Sequence, residues 1–370
     1  VNASGLIETV SSGSPRFDYD PVTLAARGFL IEEQRTNLLV RSSDYSTSWG
    51  PLTGISLTAG QASPDTGGTN ATRIQCTTSG ATRILTQTVS VASGTVYVFS
   101  AYMKKGTTNY GVMALTDSTA STQALWTFDL NTGVTAQNLI TTITSTAGVI
   151  DAGNGWFRCW VRITSPDTSV QARAFPTNAA NTANGATGDN IILFGAQLEA
   201  GSVVSSHIPT VASQATRSAD SASITGSAFT SWFNPTEGAM LTEYSVSALS
   251  GNRAATYMRN GSDTNFIGTL IETNAPKSYV WNGSQQAGIA NTAITANAPH
   301  RTAIAYRADD FAAVTDGGTV GTDIVGSVPT DLSQLDVGRG ASHDWLNGHI
   351  RSLAYYARRL ANADLQRLTA

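Results

Sequence analysis

Residues Thr95–Lys105, TVYVFSAYMKK, alternate strictly: Tyr97, Phe99, Ala101 and Met103 fall on one side, Val98, Ser100, Tyr102 and Lys104 on the other. A period of two is what a strand with one buried face requires. The same pattern predicts strands at Ala124–Leu130, before the turn Asn131-Thr132-Gly133, and at Trp156–Ile163, after Asn154-Gly155. Ile191–Phe194 is a continuous apolar run between Gly188 and Gly195, too short for a helix. It predicts a strand buried on both faces, the closing strand of a sandwich. Beyond Gly201 the chain turns to Ser, Thr, Ala and Val, interrupted by Pro209. That is the composition of an extended connector, and it places a domain boundary near Thr210–Gln214.

The second half repeats the style without the sequence. Strands are predicted at Ala239–Val246, Ala254–Arg259, Lys277–Asn282, Arg301–Arg307, Phe311–Thr315 and Gly348–Tyr356. Turns fall at Asn260-Gly261, Asn282-Gly283 and Asp316-Gly317-Gly318. No segment sustains a helical period except the tail ANADLQRLTA, where Asn362 is the expected N-cap and Leu365 and Leu368 share a face. Residues 1–36 carry little periodicity, and Pro15 and Pro21 bracket a turn-forming Asp18-Tyr19-Asp20. They read as an arm anchored on a neighbouring surface by Phe17, Tyr19, Phe29 and Leu30. The expected fold is all-β: two tandem sandwiches, jelly-roll and lectin-like, with an N-terminal arm (1–36) and a short C-terminal helix. The domains are expected at 37–212 and 213–370, joined through 210–220.

Composition agrees. Only 13% of the 370 residues are charged and 41% are hydrophobic, too many for a disordered chain. A net charge of -4, with no basic run longer than Lys104-Lys105 or Arg358-Arg359, argues against a nucleic-acid partner. No apolar segment approaches the roughly 18 to 20 residues of a membrane span. No signal peptide precedes Val1, which reads as a processed terminus or a fragment boundary. Cys76 and Cys159 each alternate with apolar neighbours, Ile74 in one case and Phe157, Val161 and Ile163 in the other. Both are therefore expected inside, as free thiols rather than a disulfide.

The arm PRFDYDPVTLAARGFLIEEQRTNLLVRSSDYSTSW, the strand and turn GNGWFRCWVRI, the closing GAQLEAGSVVSSHIPT and the junction ATRSADSASI resemble modules of bacteriophage and prophage head-spike and tail-fibre proteins. The first domain resembles carbohydrate-binding-module jelly rolls. From about Ser221, the order EGAMLTEY, HRTAIAY, VTDGGTV and LNGHIRSLAYYARRLANADLQRLT is similar to a concanavalin-A-like, laminin-G-like sandwich. The resemblance implies a virion surface protein, commonly a homotrimer, that meets bacterial surface polysaccharide during host attachment. The arm would contact other virion proteins.

Sugar recognition needs flat aromatic faces for C–H surfaces and polar groups at their edges for hydroxyls. The parity that sends Cys159 inward sends Trp156, Arg158, Trp160 and Arg162 outward, a candidate glycan platform that Tyr102 and Lys104 would extend from an adjacent strand. The competing reading is that the Arg planes merely stack on the Trp rings to cover the sheet. Trp49 reads as a lid over one end of the core, and Trp126 as core. In the second domain the loop from Arg339 through His343 and Asp344 to Trp345, and the turn Trp281-Asn282-Gly283, are the candidate glycan contacts. The resemblance to carbohydrate-binding jelly rolls also makes Asp44, Asp189 and Glu199 weak calcium candidates. His207, His300, His343 and His349 lack zinc-ligand spacing, so no cofactor is expected. There is no Gly-x-Ser-x-Gly elbow, His-Glu-x-x-His or phosphate loop. The adjacent pairs Glu32-Glu33 and Asp309-Asp310 face opposite ways on an extended chain. A non-enzymatic binder is therefore expected over a polysaccharide depolymerase, with a structural decoration or spacer as the third reading.

Overall fold

The computed structural model describes residues 1–45, 47–50, 52–80, 85–117, 123–261 and 264–370, with positions 137 and 141 as backbone only. Half of the residues are in strands and 3% in helices, so the fold is all-β. The chain divides into two compact units. One comprises Val1–Thr9, Tyr19–Ala25 and Gln34–Arg217, the other Val10–Asp18, Ala26–Glu33 and Ser218–Ala370.

The first unit is a sandwich. Its five-stranded sheet runs Val134–Thr141, Gln123–Asp129, Tyr110–Asp117, Ser169–Thr177, Thr86–Ser90. Its six-stranded sheet runs Ser145–Asp151, Trp156–Thr164, Val96–Lys105, Asn190–Ala200, Ala71–Cys76, Ile55–Gln61. Between them Phe99, Met103, Cys159, Val161 and Leu193 meet Met113, Leu115, Phe128 and Val170. Each such large apolar side chain taken out of water stabilises the sandwich by about 1.5–3 kcal/mol. Tyr97, Phe99, Ala101 and Met103 all join this core, as their alternation requires. Cys76 and Cys159 are free and buried, and burial pushes the Cys159 thiol pKa up, which keeps it protonated. Trp49 is buried edge-on against Tyr45 with its Nε1 donating to the Val40 carbonyl at 3.0 Å. Trp126 is half-buried against the core, its indole N–H donating to Ser145 Oγ at 3.1 Å.

The apolar run at Ile191–Phe194 belongs to a longer strand of 11 residues, Asn190–Ala200, set inside the sheet between Val96–Lys105 and Ala71–Cys76. Its register slips between Phe194 and Gln197, around Gly195 at φ 63°. Phe194 takes the face opposite Leu193 by ordinary alternation, and the bulge that follows returns Ala196 and Leu198 to the core.

The second unit pairs a seven-stranded sheet, Phe17–Tyr19, Ala26–Ile31, Gly348–Tyr356, Glu237–Val246, His300–Arg307, Phe311–Thr315, Gly321–Asp323, with a six-stranded one. The latter runs Ala222–Thr225, Gln334–Val337, Asn252–Arg259, Asn265–Glu272, Ala275–Asn282, Ser284–Ala290. Met240, Ile304, Phe311 and Ile350 of the first sheet pack with Ala255, Met258, Ile267 and Val280 of the second. The helix Asn362–Thr369 lays Leu365 and Leu368 on Ala303, Ala305, Ala312 and Val314, which covers the other side of the seven-stranded sheet. Its N-cap is Ala361 rather than the expected Asn362; the Ala361 carbonyl accepts from the amides of Asp364 and Leu365. A second, single-turn helix spans Ser227–Thr230.

Residues 1–36, expected as an arm anchored on a neighbouring surface, are held in part by strand pairing. Phe29, Leu30 and Ile31 pair with Ile350, His349 and Gly348, so this stretch is built into a sheet. Its anchor is Ile31, which is fully buried, whereas Phe17 is 60% exposed. Arg16 adds a polar clasp to Glu32 at 2.9 Å and to Asp220.

Candidate functional site

In the first sandwich the predicted parity holds, but the platform is closed. Across one rung Arg158 pairs with Tyr102 and Tyr102 with Phe194. Trp156, Tyr102 and Phe194 are all buried, in a cluster on the face opposite the core. The cover is the connector after Gly201. Arg162 donates to the Ser202 carbonyl at 2.9 Å and Arg158 to the Ser205 carbonyl at 2.6 Å. Gln197 Oε1 accepts from the Ile208 amide at 2.8 Å, and the His207 ring stands against Tyr102 and Phe194. The Arg158 guanidinium lies 5.1 Å from the Tyr102 ring centre and Lys104 Nζ 5.9 Å from that of Trp156. Cation and ring therefore cover each other. Trp160 is half-buried over Gly148, where an added Cβ would come within 2.5 Å of the indole. Trp156 and Tyr102 thus present no open ring face, and the Ser202 and Ser205 carbonyls of the connector take one N–H each from Arg162 and Arg158, which an exposed strand would have left in water.

The three calcium candidates are each engaged elsewhere. Glu199 is fully buried and accepts from Gln197 Nε2 and from the Ser205 amide and hydroxyl, the last at 2.6 Å. Asp189 accepts from the Ala186 amide, and Asp44 pairs with Arg41 at 2.7 Å. Among the described residues no three His, Cys, Asp or Glu gather as a metal would require. The acidic pairs are also separated in role. Glu32 holds Arg16 while Glu33 meets Asn347, and Asp310 meets Arg307 while Asp309 accepts from the Gly326 amide.

The second sandwich is arranged differently. On the outer face of its six-stranded sheet, Tyr257 and Phe266 stack at 4.5 Å with a 28° interplanar angle, and Phe266 and Trp281 at 5.8 Å with 15°. His343 extends the row from the other end, 5.3 Å from Tyr257. Tyr257 pairs with Gly268, where a Cβ would come within 2.9 Å of the tyrosine ring; the missing side chain lets that ring lie across the neighbouring strand. The middle of the row is buried, and the Trp281 end is half-exposed. Beside it Lys277 Nζ sits 4.8 Å from the Tyr279 ring centre, and Tyr279 donates to Glu272 at 2.5 Å. Burial raises the Tyr279 hydroxyl pKa and Glu272 adds to the shift, so the group stays a donor at neutral pH. Gln285, opposite Trp281 on the edge strand, is exposed.

The structure brings Trp281 and His343 to opposite ends of one row. Asn282 leaves it, donating to Ser327 Oγ at 2.9 Å. Arg339 and Trp345 form a pair of their own at 4.8 Å, with the indole N–H on the Asp220 carbonyl. Asp344 ties its loop to Asn252, its amide donating to the Asn252 carbonyl at 2.9 Å and its Oδ2 accepting from the Asn252 amide at 3.4 Å. Tyr257 and Phe266, which lie between, and Tyr279 beside them carry no motif of their own in the sequence. The available signal was Tyr279 and Trp281 on either side of apolar Val280, the outward positions of one strand.

No protein-family model and no curated protein matches the chain. Solved structures show partial likenesses. The NanB sialidase of Streptococcus pneumoniae shares 9% identity at a TM-score of 0.34, over 39% of this chain and 26% of that one. The chain thus spans about a quarter of the length of that sialidase. The Ruminococcus gnavus IT-sialidase CBM40 shares 12% identity at 0.33, over 37% of this chain and 84% of that one. Domains LG4-5 of the mouse laminin α1 chain share 10% at 0.28, over 96% of this chain and 95% of that one. At these identities and scores the likenesses assign no family and no ligand to the chain.

Proposed function

We propose that this chain is a non-enzymatic glycan-binding protein of a phage-like particle surface, meeting bacterial surface polysaccharide during host attachment as a homotrimer. The observation that carries the binding is the stacked row His343–Tyr257–Phe266–Trp281, open at Trp281 and flanked by Lys277 and Gln285. A ring held flat by a stacked neighbour loses little freedom when a sugar C–H face settles on it, and the Gln285 amide opposite it suits hydroxyls, with the Lys277 ammonium further along the same strand over Tyr279. One such contact is weak, and a trimer presenting three would raise avidity by roughly 10²–10⁴.

The test is a pull-down of the purified protein on host polysaccharide, with reducing ends assayed in the same tube. Retention without new reducing ends is expected. No retention overturns the reading, and new reducing ends replace it with a depolymerase. Sedimentation at the monomer mass of 38.6 kDa removes the trimer and its avidity. A purely structural role is favoured for one surface only, the closed outer sheet face of the first sandwich, where Trp156 and Tyr102 are buried.

A further inference from the structure

The first sandwich holds an open cleft of about 390 Å³, bordered by segment 41–44, strand residues 59 and 60, loop 65–72 and the end of the connector, 207–211. This volume is within the range of small-molecule sites, about 300–1,000 Å³. Three charged groups line it. The Arg41 Nη1 meets Asp44 Oδ2 at 2.7 Å, and Asp65 is held by Ser63 Oγ at 2.5 Å and Asn70 Nδ2 at 2.9 Å. The Arg41 backbone is pinned by its amide on the Val211 carbonyl at 2.8 Å. Polar groups fixed by neighbours in this way lose little entropy on binding. The rest of the lining includes Ile7, Phe194, Pro209 and Val211, the last 72% exposed at the rim.

Charge decides what such a cleft accepts. Two carboxylates face one guanidinium that is already paired, and His207 adds no charge, because burial, with the like charge of Arg158 adding to it and Asp65 partly offsetting it, lowers its pKa to about 3. A carboxylate or phosphate ligand would meet net negative charge. A hydrocarbon would strip water from charged groups and return nothing. A ring bearing several hydroxyls does neither: hydroxyls donate to carboxylates and accept from the guanidinium, while C–H faces lie on Pro209 and Val211.

We propose that this cleft binds the uncharged terminal sugar ring of a glycan, Asp44 and Asp65 accepting from its hydroxyls and Arg41 donating to them. The site is end-on and stands apart from the aromatic row; it does not depend on Trp281 binding anything. Saturation-transfer NMR on the full chain tests it with four probes: the methyl glycosides of glucose, mannose and galactose, and methyl glucuronide as the anion. At least one neutral glycoside should take up saturation, with the glucuronide weaker. Ala59→Trp, which fills the cleft from an exposed strand position, and Asp44→Asn should each weaken binding at least tenfold. In a Trp281→Ala background, where the aromatic row is disabled, the same two substitutions should still weaken binding at least tenfold. The proposal is overturned if no neutral glycoside binds, if the glucuronide binds best, or if Ala59→Trp binds as the parent does. Loss of binding in Trp281→Ala but not in Ala59→Trp would move the sugar to the second sandwich, overturning this site while leaving the glycan-binding reading intact.

Discussion

Both sandwiches put aromatic rings and cations on the outer face of a six-stranded sheet, and they finish that face in opposite ways. In the first, Tyr102 and Phe194 are covered by their own connector, through Arg158 on Ser205 and His207 against both rings, and Trp156 is buried in the same cluster with Ile7 and Ala152 packed against it. In the second, Tyr257, Phe266 and Trp281 cover one another in a stack that stays open at one end. The same residue types thus become a second core in one case and a surface in the other. What decides is whether a chain segment with free carbonyls runs over the face.

The sharpest way to break this comparison is to truncate one indole on each face. Trp156→Ala should destabilise the first sandwich by about 3–5 kcal/mol, the range for emptying a buried Trp site. Denaturant titration of the full chain would read it. A loss below about 1 kcal/mol would mean that the cluster around Trp156 is not a second core.

His207 sharpens the same point through pH. Burial first, and then Arg158, lower its pKa from the ordinary 6.5 to about 3, with Asp65 partly offsetting. The unfolded chain therefore takes up a proton near pH 6.5 that the folded chain refuses until about pH 3. Stability from this group is intact above about pH 6.5 and falls as pH drops below it, by about 2 kcal/mol at pH 5. The buried Nε2 has no hydrogen-bond partner, so His207→Phe keeps the ring contacts and loses no bond. Melting temperatures of parent and variant should converge near pH 7 and separate at pH 5, the variant being the more stable. Parallel pH profiles would show that this ring is not what titrates.

Trp281→Ala is expected to behave unlike Trp156→Ala. Its stacking on Phe266 contributes about 0.5–1.5 kcal/mol beyond area burial, and the ring is only partly buried. Stability should fall by about 1–2 kcal/mol while polysaccharide retention falls at least tenfold. Retention unchanged in a folded variant would remove the row from the binding surface.

The sequence showed which face each side chain takes more clearly than what covers that face. Strict alternation in Val96–Lys105 and Trp156–Thr164 placed Phe99, Met103, Cys159 and Val161 inward, since one step in register flips every side chain. The buried free thiols follow from the same parity. It carried no sign that Gln197, Glu199, Arg158 and Arg162 would be matched by Ser202, Ser205 and Ile208, because those contacts depend on the path of an aperiodic segment. Residues 26–31 were obscure for a related reason. ARGFLI lacks alternation, and its pairing with Gly348–Tyr356 closes over a separation of more than 300 residues. The Tyr257–Phe266–Trp281 row escaped notice because its three rings come from three strands, and strand order is not written in any one of them.

The smallest expected effect separates the row from its neighbouring loop. Arg339 lies 4.8 Å from the Trp345 ring centre, a cation–π contact at a half-exposed site. Such contacts contribute about 0.5–1 kcal/mol, and the Trp345 indole keeps its hydrogen bond to Asp220 whether or not the guanidinium is present. Arg339→Ala should therefore lower stability by less than about 1 kcal/mol and leave polysaccharide retention unchanged, because the pair stands outside the stacked row. If retention instead falls as far as in Trp281→Ala, the binding surface includes the 339–345 loop. Trp345 would then join Trp281 as a sugar-facing ring, and the second sandwich would present two contacts where the stacking alone indicates one.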